Sequence, residues 1–280
     1  MDDKIDSNQK EGRTLEQIAR AIFKSWFVDF DPVRAKTEGK KPVGMDSETA
    51  KVFPDSFMDS ELGRIPKGWK IKRIGDVTTI TKGQSYKSSE LQPSTIALVT
   101  LKSINRGGGY KPDGLKPFVG RYKQEQVITP GEVVVANTDV TQAAEVIGKP
   151  AIVRPSHEHE TLVASLDLSI IRPSYTKTIS NEYLYCLFMM DDFQSHIYGY
   201  TNGTTVLHLA KDGIPSYILA SPPEKLAESF KNIAGPIFKK IGDNEQQNNS
   251  LASIRDTLLP KLLSGEIRIK DAVKMMEKAI

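Results

Sequence analysis

The chain has 280 residues, 39% of them hydrophobic, and a formal net charge of +3, so one large or two small domains can form and a nucleic-acid partner is permitted without being required. Its one cysteine, Cys186, excludes a disulfide framework and a thiolate metal cluster and suits a reducing cytoplasm. No run approaches 18 apolar residues and the N-terminus is charged, so we expect neither a membrane-spanning helix nor a signal peptide in these residues.

The first predicted element is an N-terminal helix, residues 2–28 of a segment 1–30. Its seam repeats every three or four residues, as in a coiled coil, at Ile5, Asn8, Gly12, Leu15, Ala19, Ile22 and Trp26, with Ile18 beside it. The acidic residues and proline at 29–32 are predicted to end it. Residues 31–62 are rich in proline, glycine and charge, and they predict a linker that docks locally through Phe53 and Phe57.

Residues 63–222 predict an α+β domain dominated by strands. Short β-branched runs are bounded by Gly, Pro, Asn and Asp, as in "TIALVTLKSI", "GEVVVANTD" and "LVASLDLSIIRP". The stretch "NEYLYCLFMMDDFQSHI", residues 181–197, predicts a single helix inside this domain.

A long C-terminal helix is predicted for residues 223–265, followed by a tail over 266–280. Pro223 should begin the helix, Gly235-Pro236 should kink it and Gly265 should close it. Its seam also repeats every three or four residues, and includes Phe230, Ile237, Leu251, Ile254, Leu258 and Leu262.

The two ends of the chain resemble each other. Residues 4–27 align without a gap on residues 240–263, with identities at Lys4/Lys240, Ile5/Ile241, Asn8/Asn244, Leu15/Leu251 and Ile18/Ile254. Two amphipathic helices could match this well by chance, but the shared seam asparagine favours an internal repeat. Neither helix can bury its own seam, so the sequence predicts an antiparallel, coiled-coil-like pair flanking the strand-rich domain.

Three stretches carry a family resemblance: "TLEQIARAIFKSWFVDFDPVRAK", "FPDSF…DSELGRIPKGWK" and "LASIRDTLLPKLLSGEIRI". They closely resemble the DNA-specificity (S) subunit of type I restriction-modification systems. In that family two target recognition domains each read half of a bipartite DNA site, and two antiparallel helices set their spacing and dock methyltransferase subunits. The stretch "NGTTVLHLAKDGIPSYILASPP" resembles part of such a recognition domain.

The resemblance implies partners and a departure from the family pattern. The expected partners are double-stranded DNA, methyltransferase subunits that bring S-adenosylmethionine, and a restriction subunit that uses ATP and Mg²⁺; this chain is expected to bind no cofactor. Only one recognition domain is present, so we expect a half-length subunit or a fragment. A half-length subunit should pair as a homodimer and read an inverted repeat. Residues 14–27 should pack on the helix around 226–241, which leaves 251–263 for another chain or for folding back.

Motifs for catalysis are weak. "SPPE" (221–224) lacks both ends of an adenine-methyltransferase motif, "RGGGY" (106–110) is not a dinucleotide loop, and no phosphate-binding loop for ATP is present. "HEHE" (157–160) is expected to be a solvated loop and not a metal site. We therefore interpret the chain as non-catalytic, with no catalytic residues and no metal ligands.

DNA recognition needs cations for phosphates and short polar side chains for base edges, which we expect in loops between strands. Four stretches, 81–89, 101–111, 137–142 and 200–211, supply candidates: Lys82, Gln84, Ser85, Tyr86, Lys87, Lys102, Asn105, Arg106, Tyr110, Asn137, Thr138, Gln142, Asn202, Thr204, Thr205 and Lys211. Arg106 and Gln84 are the strongest candidates for base contacts. His208 lies between two leucines, a setting in which a histidine is more often structural than a contact, and Asn202-Gly203 is also a common β-turn pair. The alternative function is a coiled-coil adaptor whose β-rich domain binds protein.

Overall fold

In a computed structural model of the chain, residues 1–141, 143–268 and 270–271 are described. The chain divides into a helical unit, formed by residues 1–21 and the described residues from 233 onward, and a globular unit, formed by residues 22–232. Two long helices contribute to both units. Helix α1 (Asp2–Phe27) begins in the helical unit and ends in the globular unit, and helix α7 (Glu224–Leu263) begins in the globular unit and ends in the helical unit. Within the described part of the chain, no helix is long and apolar enough to cross a bilayer.

The helical unit is an antiparallel pair of helix segments, as predicted. Side-chain contacts join them in reversed order: Asp2 to Arg255 at 2.7 Å, Asn8 to Gln247 at 2.8 Å and to Asn248 at 2.9 Å, and Glu11 to Asn244 at 2.8 Å. Both seam asparagines are buried, and each has a polar partner on the opposite helix. Such buried polar pairs fix the register of two helices at some cost in stability.

These contacts follow the internal repeat of the sequence. In that repeat Asn8 corresponds to Asn244, and Glu11 corresponds to Gln247. The bond from Asn8 to Gln247 is therefore the repeat-related copy of the bond from Asn244 to Glu11. The segment pair thus has an approximate two-fold relation between its own halves, which supports a true internal repeat over a chance match.

The expectation that residues 251–263 lack a partner within the chain is wrong for two of them. Leu251 and Leu258 are buried, at 4% and 6% exposure. The expectation paired only residues 14–27 with α7. Helix α1, however, begins at Asp2, and Asp2 contacts Arg255, so the first turns of α1 lie along the later part of α7. Ile254 and Leu262 are half-buried.

The apolar end of α1 packs into an aromatic cluster of the globular unit. Phe230 is fully buried, with its ring centroid 5.6 Å from Phe23, 6.3 Å from Trp26, 5.2 Å from Phe27 and 6.3 Å from Tyr183. All four of these ring pairs are edge-to-face, which aromatic quadrupoles favour. The predicted contact between residues 14–27 and the early part of α7 is therefore present at Phe230. Burial raises the pKa of the Tyr183 hydroxyl far above its usual value.

The segment that follows α1 has more local order than a plain linker. It contains α2 (Asp31–Thr37), α3 (Ser47–Val52) and the hairpin of β1 (Phe57–Ser60) with β2 (Gly63–Pro66). Asp46 caps α3 by accepting bonds from the amides of Glu48 and Thr49. Phe53 is buried with its ring 5.2 Å from Trp26, so this segment docks through Phe53.

The rest of the globular unit is a set of small sheets, as the α+β prediction requires. Its strands are β3 (Lys70–Arg73), β4 (Thr78–Lys82), β5 (Ile96–Val99), β6 (Lys116–Pro117), β7 (Val127–Ile128), β8 (Val133–Ala136), β9 (Thr138–Asp139), β10 (Pro150–Ile152), β11 (Thr161–Ala164), β12 (Leu168–Pro173), β13 (Thr201–Asn202), β14 (Leu207–Leu209) and β15 (Ile218–Ser221). The sheet orders are β10-β8-β12-β4, β6-β5-β11-β7, β13-β14-β9 and β15-β3, and a one-turn helix α4 (Ile74–Val77) joins β3 to β4. Apolar side chains of the first two sheets form a buried core.

The single helix predicted for residues 181–197 is two helices. They are α5 (Asn181–Phe188) and α6 (Asp191–Gly199), and Met190 between them has an extended backbone. Asp191 and Asp192 occupy the first turn of α6, where acidic side chains interact favourably with the free amides of a helix N-terminus. The two aspartates in "MMDDF" therefore indicate the start of a second helix, although the apolar residues before and after them fit one continuous helix.

Candidate nucleic-acid interface

A cleft of about 550 Å³ lies in the globular unit where several strands end. Its lining includes both apolar and polar side chains. The polar lining residues come from β4, the β8–β9 segment, the β11–β12 region and the end of β14: Thr78, Lys82, Asn137, Thr138, Asp167, Ser169, His208 and Lys211.

Backbone pairing brings these segments together. Strand β14 pairs with β9, so that His208 lies opposite Thr138, and β12 pairs with β4, so that Ser169 lies opposite Lys82. Gly83 ends β4 against the β11–β12 turn, where a Cβ atom would lie only 2.1 Å from the carbonyl oxygen of Ser165. A glycine is therefore needed at the point where β4 enters the cleft.

Inside the cleft the polar side chains orient one another through hydrogen bonds. Thr138 Oγ1 donates to Asp167 Oδ1 at 3.0 Å, and Ser169 Oγ donates to Asn137 Oδ1 at 3.0 Å. The Nδ2 group of Asn137 is buried and has no partner among the described residues. The side chains of Lys82 and Lys211 are exposed at the rim, where cations can contact phosphates.

The loop after β9 is organised by one buried carboxylate, Asp139, which is 0% exposed. It accepts hydrogen bonds from the amides of Thr141 at 2.6 Å, Val146 at 2.6 Å and Ile147 at 2.9 Å. Burial alone would raise the pKa of Asp139, but the bonds from Thr141, Val146 and Ile147 outweigh it and hold the pKa below its usual value. The ionised carboxylate therefore fixes both ends of the 139–147 loop.

Asp139→Asn is expected to destabilise the chain by about 2 kcal/mol at pH 7, because an amide cannot accept all these bonds. Since the folded pKa of Asp139 is lowered, its stabilisation is present above the unfolded pKa of about 3.9 and is lost as the pH falls through the folded pKa. Urea unfolding of the wild type and of Asp139→Asn at pH 7 and pH 3 measures this effect. The difference in the free energy of unfolding between the two proteins should be smaller at pH 3 than at pH 7. An equal difference at the two pH values would contradict the prediction. Asp113→Asn, at an exposed aspartate, is the control.

The cleft gathers residues from three of the four predicted loops: Lys82, Asn137, Thr138 and Lys211. Gln84 is half-buried and bridges to Ser165, and Ser85 and Lys87 are exposed beside it. Tyr86 is half-buried in a separate apolar cluster, with its hydroxyl 3.4 Å from Lys116 Nζ.

The remaining candidates do not line the cleft. Asn202, Thr204 and Thr205 are exposed in the β13–β14 hairpin. Lys102, Asn105 and Arg106 are exposed on the 101–111 loop, whereas Tyr110 packs against the buried core of the first two sheets. Gln142 lies outside the described residues.

Sequence reasoning missed Asp167 and Ser169, which line the cleft beside the predicted residues. Both lie in "SLDLSII", which carries a strand pattern and gave no separate signal for a polar site. His208 also lines the cleft although it was expected to be structural.

In the "HEHE" stretch, His159 Nδ1 contacts Ser156 Oγ at 3.2 Å, and the described residues hold no cluster of three or more potential metal ligands.

No family model matches the chain. The HindI type I restriction enzyme specificity subunit of Haemophilus influenzae, however, is 27% identical over 314 aligned residues that cover 95% of this chain and 65% of the relative. The chain is homologous to the specificity subunits of type I restriction enzymes. The MjaIX specificity subunit of Methanocaldococcus jannaschii is likewise 27% identical, covering 96% of this chain and 57% of that relative. This chain thus matches 57–65% of the length of these relatives.

A solved structure shows the same fold. The structure of the type I restriction-modification S subunit from M. genitalium superposes on this chain with a TM-score of 0.51 at 14% sequence identity. The match covers 92% of this chain and 57% of the M. genitalium chain. The mixed α+β architecture with flanking helices is therefore the one expected from the sequence. At this identity the likeness concerns the fold alone.

Proposed function

We propose that this chain is the DNA-reading specificity subunit of a type I restriction-modification complex. The observation that carries the proposal is the similarity of nearly the whole chain to type I specificity subunits. The geometry is compatible with it, because Lys82 and Lys211 at the cleft rim supply cations for phosphates, and Asn137 and Thr138 supply short polar groups for base edges. The exposed candidates on the 101–111 loop and the β13–β14 hairpin extend the proposed contact surface.

In this proposal the chain performs no catalysis. Methyltransferase subunits dock on the helical unit, bring S-adenosylmethionine and flip and methylate an adenine, and a restriction subunit supplies the chemistry that needs ATP and Mg²⁺. The approximate two-fold relation between the halves of the helical unit, visible in the Asn8–Gln247 and Asn244–Glu11 pairs, supports docking of two equivalent partners.

We further propose that two copies of the chain pair through their helices and read an inverted repeat. Leu259 and Leu263 of α7 are 49% and 80% exposed, and Ile18 of α1 is 45% exposed, so apolar surface is available for a second copy. A two-fold axis would relate two identical readers, and their target would then be a palindrome with a fixed gap.

Selection of bound duplexes from a random DNA pool, with the cognate methyltransferase subunit present, tests the proposal. Enrichment of an inverted repeat with a fixed gap is the expected result. Enrichment of a single short half-site would retain the reader and contradict the homodimer. No enrichment at low salt would contradict DNA reading and favour the protein-binding adaptor, whose contacts lack the steep salt dependence of phosphate binding.

A further inference from the structure

We propose that Glu145 is a positioning residue for Arg106, which it aligns for a base contact while restraining its attraction to phosphates. This inference rests on the proposed DNA-reading function and deepens it. Arg106 Nη1 lies 3.4 Å from Glu145 Oε2, and both side chains belong to the globular unit. The side chains are 73% and 40% exposed, so the ion pair contributes little to stability and its role has to be sought elsewhere.

The backbone of Glu145 is held on several sides. Its amide donates to Thr141 Oγ1 at 3.0 Å, and its carbonyl accepts from the amide of Gly107 at 2.9 Å. The next two residues, Val146 and Ile147, donate their amides to the buried carboxylate of Asp139. The carboxylate of Glu145 is therefore carried by a fixed piece of backbone on a loop that directly adjoins Arg106.

The turn that carries Arg106 is fixed as well. The amide of Asn105 donates to the carbonyl of Gly109 at 2.9 Å, and the amide of Gly108 donates back to the carbonyl of Asn105 at 2.9 Å. The amide of Gly109 donates to the carbonyl of Pro150 at 2.9 Å. Glycines at 107–109 all have positive φ, which the tight turn requires. The conformational freedom that remains in this arrangement therefore lies in the side chains of Arg106 and Glu145.

The ion pair engages one end of the guanidinium. Glu145 contacts Nη1, and an arginine fork has five N–H donors, so donors on Nη2 and Nε stay available for a second acceptor. Paired acceptors such as guanine O6 and N7 match such a fork. A carboxylate that fixes one end of the guanidinium reduces the freedom lost when the other end binds a base. It also offsets the charge that would attract Arg106 to any phosphate.

The test is a comparison of wild type, Glu145→Gln, Glu145→Asp, Arg106→Gln and the double variant Arg106→Gln/Glu145→Gln. Each full-length chain, in complex with its methyltransferase subunit, is titrated with the duplex selected from the random pool and with a random-sequence duplex. Glu145→Gln should bind the random duplex roughly fivefold to tenfold more tightly near 0.1 M salt, with a salt slope steeper by about 0.9, because Arg106 becomes free to bind a phosphate. Preference for the selected duplex should fall by about tenfold, and Glu145→Asp should restore part of it.

The double variant separates positioning from simple loss of negative charge. If Glu145 acts through Arg106, Glu145→Gln should have no effect on either duplex once Arg106 is glutamine. Glu125→Gln is the matched control, since Glu125 forms a comparable exposed pair with Lys123 at 3.7 Å in the same unit. An unchanged preference in Glu145→Gln, or an equal effect in the Arg106→Gln background, overturns the inference while DNA reading stands. Failure of the wild-type complex to bind either duplex overturns both.

Discussion

Phe230→Ala is expected to lower the free energy of unfolding of the globular unit by about 3–5 kcal/mol, the range for a buried phenylalanine cut to alanine. The Phe230 side chain is 0% exposed and its ring contacts Phe23, Trp26, Phe27 and Tyr183. Its removal leaves a cavity at the junction of α1, α5 and α7. Three of these rings lie on α1 and the fourth lies on α5, so the rings cannot all close in on the cavity unless the helices move.

Tryptophan fluorescence can monitor the effect of Phe230→Ala. Its two tryptophans are Trp26 and Trp69, and the ring of Phe27 contacts both, at 6.1 Å and 6.0 Å. Urea unfolding followed by tryptophan emission therefore monitors the cluster that the substitution disturbs. Tyr198→Ala is the control, because Tyr198 is 66% exposed and its loss should cost less than about 0.5 kcal/mol. A loss below about 1 kcal/mol for Phe230→Ala would mean that the aromatic cluster contributes little to the stability of the globular unit.

The elements with strong periodicity were predictable from the sequence. The three- and four-residue spacing predicted α1 for residues 2–28, and the structure has it over Asp2–Phe27. The same pattern predicted the antiparallel pair, because two half-buried seams need each other. The prediction of one helix over residues 181–197 was wrong. Residues 183–190 are all buried, so the apolar pattern continues through the end of α5 and alone cannot distinguish one helix from two.

The candidate site was predictable only in part, for a different physical reason. Lys82 and Lys211 follow from loop position and charge, which are local properties of the sequence. Asp167 and Ser169 are polar residues inside a strand pattern, and their presence at the cleft depends on which strands pair. The same holds for Arg106 and Glu145, which are far apart in sequence and meet only because the 139–147 loop adjoins the 105–109 turn.

Replacing both Lys82 and Lys211 by glutamine is expected to weaken binding of a random-sequence duplex roughly 50-fold near 0.1 M salt and to reduce the salt slope by about 1.8, since each lost phosphate contact removes about 0.9 from that slope. Both side chains are exposed at the cleft rim, so stability should be unchanged.

The matched control for these two lysines is Lys41→Gln/Lys67→Gln. It removes the same charge from exposed lysines that do not line the cleft. Long-range charge alone would weaken binding equally in both double variants, whereas direct phosphate contact confines the change in slope to the cleft pair. Equal slopes in the two double variants would exclude the cleft as the DNA-contacting surface. They would also turn attention to the 101–111 loop, where Lys102 and Arg106 are exposed. A slope reduced only in the cleft variant would make the rim of the cleft part of the path of the DNA backbone, so that Asn137 and Thr138 inside the cleft become the next residues to test for base preference.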